Sequence, residues 1–484
     1  MRAPGRPGSI VRVRRLLAAA AVLAALLVPA QAALGHAVLQ SSTPAAGARL
    51  AVSPDRVALT FNEPVQLLQS QDLEVVDGEG AGVTSGPARV RRDDSRVAEV
   101  PLRPGLAEGT YTVRWKVIGA DSHVIPGVFV FGVGPGELDE PFLAGSVTTG
   151  PSETSPWSVS ARFLEIVGLG GLIGLLAFRW LVWRPVWRRP PSMPRGEREA
   201  LLAWGRDAFW VGFGVLAVGA MLAEGYLLVV HSASALGTSV WDAVRDATGI
   251  GQVLGDTRFG SLVQLRGALL FAVFALGAVQ FLREYGSAGD PRPPAAAAGR
   301  VPSALMAALL LSVIGGIAAQ GHASVAPLPA LQIGAQLAHI AAVAVWVAGL
   351  ALLGITLWRA PRIAPRGGPE LAARVLARFS KVALAAVAIA VATGVVRSVA
   401  ELSDPAELWE TAYGRSIVYK LLLLAPIVAL ALYNRRVVAA LRRAGRPNRP
   451  TLALVRRTAG AELALSLGIV LVASLLVAQV PGAA

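Results

Sequence analysis

The sequence contains no cysteine, so disulfides, thiolate zinc sites and cysteine-based copper(I) sites are excluded. Any metal must be held by histidine, carboxylate, methionine, backbone or a terminal nitrogen. Two of those groups are scarce: the 484 residues include five histidines and four methionines. Charge is scarce too. Charged residues make up 16% of the chain, against about 25% in a typical soluble domain. Hydrophobic residues make up 54%, and the mean hydropathy is +0.55. This balance excludes a disordered chain, a collagen-like fibre and a purely cytosolic enzyme. There is no P-loop, so ATP would not drive any transport directly.

The formal charge is +14, from 45 Lys and Arg against 31 Asp and Glu. Its distribution excludes a nucleic-acid partner. Residues 36–133 carry nine basic and eleven acidic side chains. The positive excess lies in short loops between apolar runs, which is the signature of membrane topology.

Arg2, Arg6, Arg12, Arg14 and Arg15 precede an apolar run from Leu16 to Val28, and small residues follow. The pattern is that of a secretory signal peptide over residues 1–35. Two cleavage points fit, one using Ala30 and Ala32, the other Ala33 and Gly35. The second makes His36 the first residue. An uncleaved anchor is the alternative, but the apolar core is short for a span.

Residues 36–133 show alternating apolar runs bounded by Pro and Gly. Val57, Leu59 and Phe61 form one stripe; Tyr111, Val113, Trp115 and Val117 form another. Several short strands in this length predict a β-sandwich. Residues 134–157 read as a Gly-, Pro-, Ser- and Thr-rich linker. Residues 158–482 read as an all-α membrane bundle. Eight spans are expected, near 160–182, 207–230, 261–282, 302–321, 331–357, 382–400, 415–433 and 459–480. Each is close to the ~20 residues needed to cross the hydrocarbon core. Gly170 and Gly174 stand at the spacing that favours close helix packing. Alternate loops hold 23 and three basic residues. This bias predicts a multi-pass cytoplasmic (inner) membrane protein with the β-domain and C-terminus on the extracytoplasmic side.

Two histidines, His36 and His123, lie in the outer domain. After cleavage before His36, its α-amine and imidazole can chelate one metal together. His123 and Asp121, two residues apart, share a face of an extended segment and can complete the set. Two imidazoles, an amine and a carboxylate suit tetragonal Cu(II). Asp121 and His123 also fit a plain strand-connecting turn. The domain has no Met, which disfavours a thioether-rich Cu(I) site.

The stretches His36-Ala-Val-Leu-Gln-Ser-Ser-Thr-Pro44-Ala-Ala-Gly47, Leu59-Thr-Phe-Asn-Glu-Pro64, Asp121-Ser-His123 and Gly127-Val-Phe-Val-Phe-Gly132 resemble the CopC family of bacterial copper-resistance proteins. The resemblance implies an all-β cupredoxin-like/Ig-like sandwich that binds Cu(II) through His36, Asp121 and His123. The membrane half resembles the CopD family. Its cues are Gly321-His322-Ala, Ala338-His339 to Trp346-Val-Ala-Gly349, Arg378-Phe-Ser-Lys381 with Thr393-Gly394, and Tyr413-Gly-Arg415 with Lys420 and Asn434. A CopC–CopD fusion implies copper capture outside and delivery to the membrane unit. Other copper-handling proteins are then possible partners, beside the copper ion and the lipid bilayer.

The membrane histidines His231, His322 and His339 all fall in the outer half. Glu224 stands seven residues before His231, on the same helical face. His339 lies about 12 Å deep by helical rise. Ionisable groups inside a span are costly, so these four form a candidate metal relay. His231 and His322 also fit ordinary interfacial residues. Other outer-half polar residues are Glu165, Gln264, Arg266, Arg397 and Lys420. The leading reading is a non-enzymatic copper importer or transporter. A membrane redox protein using haem or copper on its outer side is the alternative, marked by a Soret band. A passive anchor would need one span, not eight. One expectation is directly testable: adding a residue ahead of His36 weakens Cu(II) binding strongly in a titration against a competing chelator. Unchanged affinity would remove the α-amine from the ligand set.

Overall fold

The computed structural model describes residues 37–120, 122–143, 150–152, 154–286, 300–320, 329–402, 404–444 and 449–476. His36, Asp121 and His322 lie outside the described residues.

The period-two stripes become strands. Among the described residues there are nine: β1 (Leu39–Thr43), β2 (Arg49–Leu50), β3 (Arg56–Phe61), β4 (Val65–Gln66), β5 (Leu73–Val76), β6 (Arg89–Val90), β7 (Val97–Pro101), β8 (Gly109–Gly119) and β9 (Val124–Val133). They form two sheets, β1-β3-β7-β6 and β2-β9-β8-β4, with β5 also paired to β8. Val57, Leu59 and Phe61 of β3 point inward and are fully buried. They meet Val75, Val100, Val113, Val117 and Phe131 in a single core. β8 and β9 pair antiparallel along their lengths, from Gly109 opposite Val133 to Ile118 opposite Val124. β8 ends at Gly119 and β9 begins at Val124, with Ala120, Ser122 and His123 among the residues between them.

The first part of the expected linker runs back along β8. Thr110 and Thr112 accept backbone hydrogen bonds from Asp139 and Phe142, at 3.0 and 2.9 Å. These contacts cover polar side chains on the outer face of that strand.

The apolar runs become long helices. They are α1 (Pro156–Trp187), α2 (Arg195–Leu236), α4 (Arg258–Gly286), α5 (Arg300–Gln320), α6 (Pro329–Ile363), α7 (Gly368–Glu401), α8 (Ala412–Ala444) and α9 (Arg449–Leu476). A short helix, α3 (Ala247–Asp256), lies between α2 and α4. Ser155 caps α1 by accepting from Ser158 N, with Pro156 in the first turn. Gly237 ends α2 in the left-handed conformation, φ 71°. Among the described residues, seven helices are long and apolar enough to cross a membrane. The fourth of the eight expected spans falls on α5, whose apolar part, Ser303–Ala318, is shorter.

Two apolar clusters hold the bundle. One joins α1, α2, α4 and α5; the other centres on α6, α7 and α9. The glycine pair of α1 seats it against α6. A Cβ on Gly170 would lie 3.6 Å from Ala344 Cβ. One on Gly174 would press into Ala348 Cβ and lie 2.6 Å from the Ala344 carbonyl oxygen. Gly174→Val therefore forces α1 and α6 apart. It lowers stability by roughly 1–3 kcal/mol, the usual cost of overpacking. Thermal unfolding in detergent reads this as a lower midpoint, and an unchanged midpoint would contradict the close helix contact.

Candidate metal centre

The 119–123 turn is tightly built. Ser122 N donates to the Gly119 carbonyl, and Gly119 N to the His123 carbonyl, both at 2.9 Å. Ser122 adopts φ 69°, a left-handed conformation that non-glycine residues rarely take. His123 follows it and is buried, 7% exposed. The Asn62-Glu63 pair links this turn to the start of the domain. Val38 N donates to Asn62 Oδ1 at 2.7 Å, and Asn62 N returns a bond to the Val38 carbonyl at 3.1 Å. Glu63, also buried, accepts from Ala120 N at 3.2 Å. The Asn-Glu dipeptide of the Leu59–Pro64 stretch thus ties the amino-terminal strand to the His123 turn.

The same turn rests on the membrane helices. Arg258 Nη1 donates to the Ala120 carbonyl at 2.7 Å, and Arg258 N donates to Gln66 Oε1 at 3.3 Å. Ile118, Val124 and Leu68 of the β-domain pack with Val253, Phe259, Val263 and Ala235. The loop carrying Gln66 and Leu68 is itself braced by Asp72, which accepts from Leu68 N and Gln69 N at 2.9 and 2.8 Å. Asp72 also pairs with buried Lys116 at 3.2 Å.

Directly beneath Arg258, the ring of Phe259 stacks on His231, with centroids 3.7 Å apart and planes at 21°. His231 is buried near the end of α2. Seven residues down the same helix, about 10 Å by helical rise, stands Glu224. Arg266 of α4 bridges Glu224 at 2.8 Å and Glu165 of α1 at 3.2 Å. All three are buried, Arg266 to 1% exposure. One guanidinium thus sits between two carboxylates where water is scarce.

His339 occupies a different place. Its Nδ1 lies 2.9 Å from the Ala390 carbonyl and 3.1 Å from Thr393 Oγ1, both on α7. Gly394 leaves room for the ring: a Cβ there would sit 3.5 Å from His339 Cε1. Arg397 and Lys420 bring positive charge to it. Among the described residues, no three His, Asp or Glu side chains gather into a metal-holding cluster.

Some polar features were not singled out from the sequence. Arg258 and Phe259 were hidden in a sparse outer loop. Their signal was that Arg258 is one of only three basic residues among those loops. A second buried network joins α8 and α9: Asn434 Nδ2 donates to Glu462 Oε1 at 2.5 Å, and Thr458 Oγ1 to Asn434 Oδ1 at 2.6 Å.

Residues 39–134 match the CopC domain, and residues 373–476 match copper resistance protein D. Over 444 residues the chain is 25% identical to the copper transport protein CutJ of Bacillus subtilis strain 168, spanning 91% of this chain and 73% of CutJ. Over 98 residues it is 33% identical to protein YobA of Escherichia coli strain K12, spanning 20% of this chain and 78% of YobA. The crystal structure of CopC from Methylosinus trichosporium OB3b matches at 31% identity and a TM-score of 0.19, covering 21% of this chain and 97% of that one. The chain belongs to the copper-resistance CopC–CopD family, with a CopC domain and a CopD domain in one multi-helix membrane polypeptide.

The Arg266 cluster gives a stability prediction. Arg266→Ala leaves Glu165 and Glu224 facing each other without a counter-charge, at a cost of about 3–5 kcal/mol. A thermal melt in detergent measures it. A variant as stable as the parent would show that the two carboxylates do not depend on Arg266.

Proposed function

We propose that this protein captures Cu(II) on its β-domain outside the cytoplasmic membrane and passes copper to its membrane helices for transport inward. His36, Asp121 and His123 form the capture site. Val38 is fixed through Asn62 beside the Glu63-bound turn, and two residues of chain reach about 7 Å. That reach suits a chelate formed by the His36 amine and ring with His123. Imidazole, amine and carboxylate donors are the set Cu(II) prefers.

One observation carries the transfer step. The turn that holds His123 is bonded through Ala120 to Arg258, and the next residue, Phe259, stacks on His231. The turn carrying His123 thus touches the residue next to the one stacked on the first membrane histidine. Below His231, the carboxylates of Glu165 and Glu224 beside Arg266 offer oxygen donors to a cation in the bundle. The route therefore runs along α2 and α4. His339, bonded to α7 and approached by two cations, ties helices together rather than carrying copper. The copper cargo supplies the only redox-active centre this reading needs, and no enzymatic step is part of it.

Whole-cell copper accumulation tests the route. His231→Ala abolishes the uptake that the protein confers, whereas His339→Ala at equal expression retains most of it. The reverse ranking would move the path to α6 and α7. Equal accumulation in cells with and without the protein would remove import altogether.

A further inference from the structure

At the end of the bundle away from the β-domain, a cavity of about 700 Å³ lies among α1, α2, α4 and α6. Arg179, Arg184, Arg188 and Arg206 line it, with Glu284 as the one acidic lining residue. Arg206 is paired with Asp207, 3.0 Å away. Even with that pair counted, the cavity keeps an excess of two positive charges. Trp180, Trp183, Trp187 and Trp204 share its walls.

The local backbone accounts for this grouping. Residues Phe178–Trp183 of α1 form a π-helical segment. Such wide turns reset the helical face, and they recur at functional sites. Arg179 is drawn inward, its guanidinium 3.9 Å above the Phe209 ring and 3.4 Å from Glu284. Its Nη1 nevertheless is buried with no hydrogen-bond partner among the described residues, and so is Trp187 Nε1. Arg184 stacks over Trp180 at 4.1 Å. Leaving two buried donors unmatched is costly. Packing alone would not favour leaving them so beside an open volume.

We propose that this cavity binds the phosphate headgroup of an anionic phospholipid. The phosphate oxygens accept from Arg179 and Trp187, with Arg184 and Arg188 at the rim. Leu175, Leu216, Leu352 and Ile355 extend the cavity with apolar wall for an acyl chain. The side is open to lipid, since Leu202 and Ile355 are 42% and 47% exposed. Tryptophans belong at the headgroup level of a bilayer, and basic pockets between helices select acidic lipids there. A free phosphate shares the headgroup chemistry but leaves the apolar wall unused.

Native mass spectrometry of the full-length protein released from nanodiscs tests the site. The nanodiscs hold equimolar phosphatidylglycerol and phosphatidylcholine. Phosphatidylglycerol is retained preferentially. The Arg184→Gln and Arg188→Gln changes each lower that preference by about fivefold, as expected for loss of one basic contact. Arg195→Gln, which alters a basic residue at the same end outside the cavity, leaves it unchanged. Equal retention of the two lipids, or an equal loss in Arg195→Gln, would overturn the proposal. Displacement of the retained lipid by millimolar inorganic phosphate would also overturn it, reassigning the cavity to the free anion. Should one of these variants fail to fold, the other gives the same reading.

Discussion

The structure depends on a small polar contact between two unlike domains. The turn at the end of β8 offers the Ala120 carbonyl to Arg258, the residue that opens α4. A carbonyl and a guanidinium form a charge-assisted bond, which is stronger and more directional than apolar contact. Ile118, Val124, Phe259 and Val263 pack beside it. The contact fixes which side of the sandwich faces the membrane. It turns the His123 edge toward the helices and leaves the opposite edge to solvent.

Beneath that contact the physical problem changes from recognition to charge burial. An arginine with two carboxylates at the level of the helices is costly unless its geometry is good, and breaking such a group costs more than forming it gains. The 2.8 and 3.2 Å contacts of Arg266 hold α1, α2 and α4 in register. They also place two carboxylates below His231. The His339 region carries the opposite sign. The two halves of the bundle thus treat a cation differently, although their histidines look alike in the sequence.

Much of this was legible from the residues. The period-two stripes of Val57 to Phe61 and Tyr111 to Val117 marked strands because one face had to be buried. The apolar runs marked helices because only helices satisfy their own backbone in lipid. Gly170 and Gly174 marked a close helix contact, which they make with α6. The pairing of Glu224 with Arg266 was foreseeable as charge compensation within the spans. The domain contact was not legible. Arg258 and Ala120 are 138 positions apart, and neither belongs to a pattern. The separation of His231 from His339 was equally hidden. Both fall in apolar helices, and only the packing of α2 with α4, and of α6 with α7, divides them. The Thr458 and Glu462 partners of Asn434 escaped for the same reason: each is unremarkable alone.

The central claim is that copper crosses from the β-domain to the helices at the Arg258 contact. Copper uptake by cells producing the Arg258→Ala, Phe259→Ala double variant tests it most directly, with Cu(II) affinity of the purified protein measured in parallel. Transfer through this contact predicts uptake near background with unchanged affinity. Uptake equal to that of the parent protein, at the same affinity and expression, would contradict it.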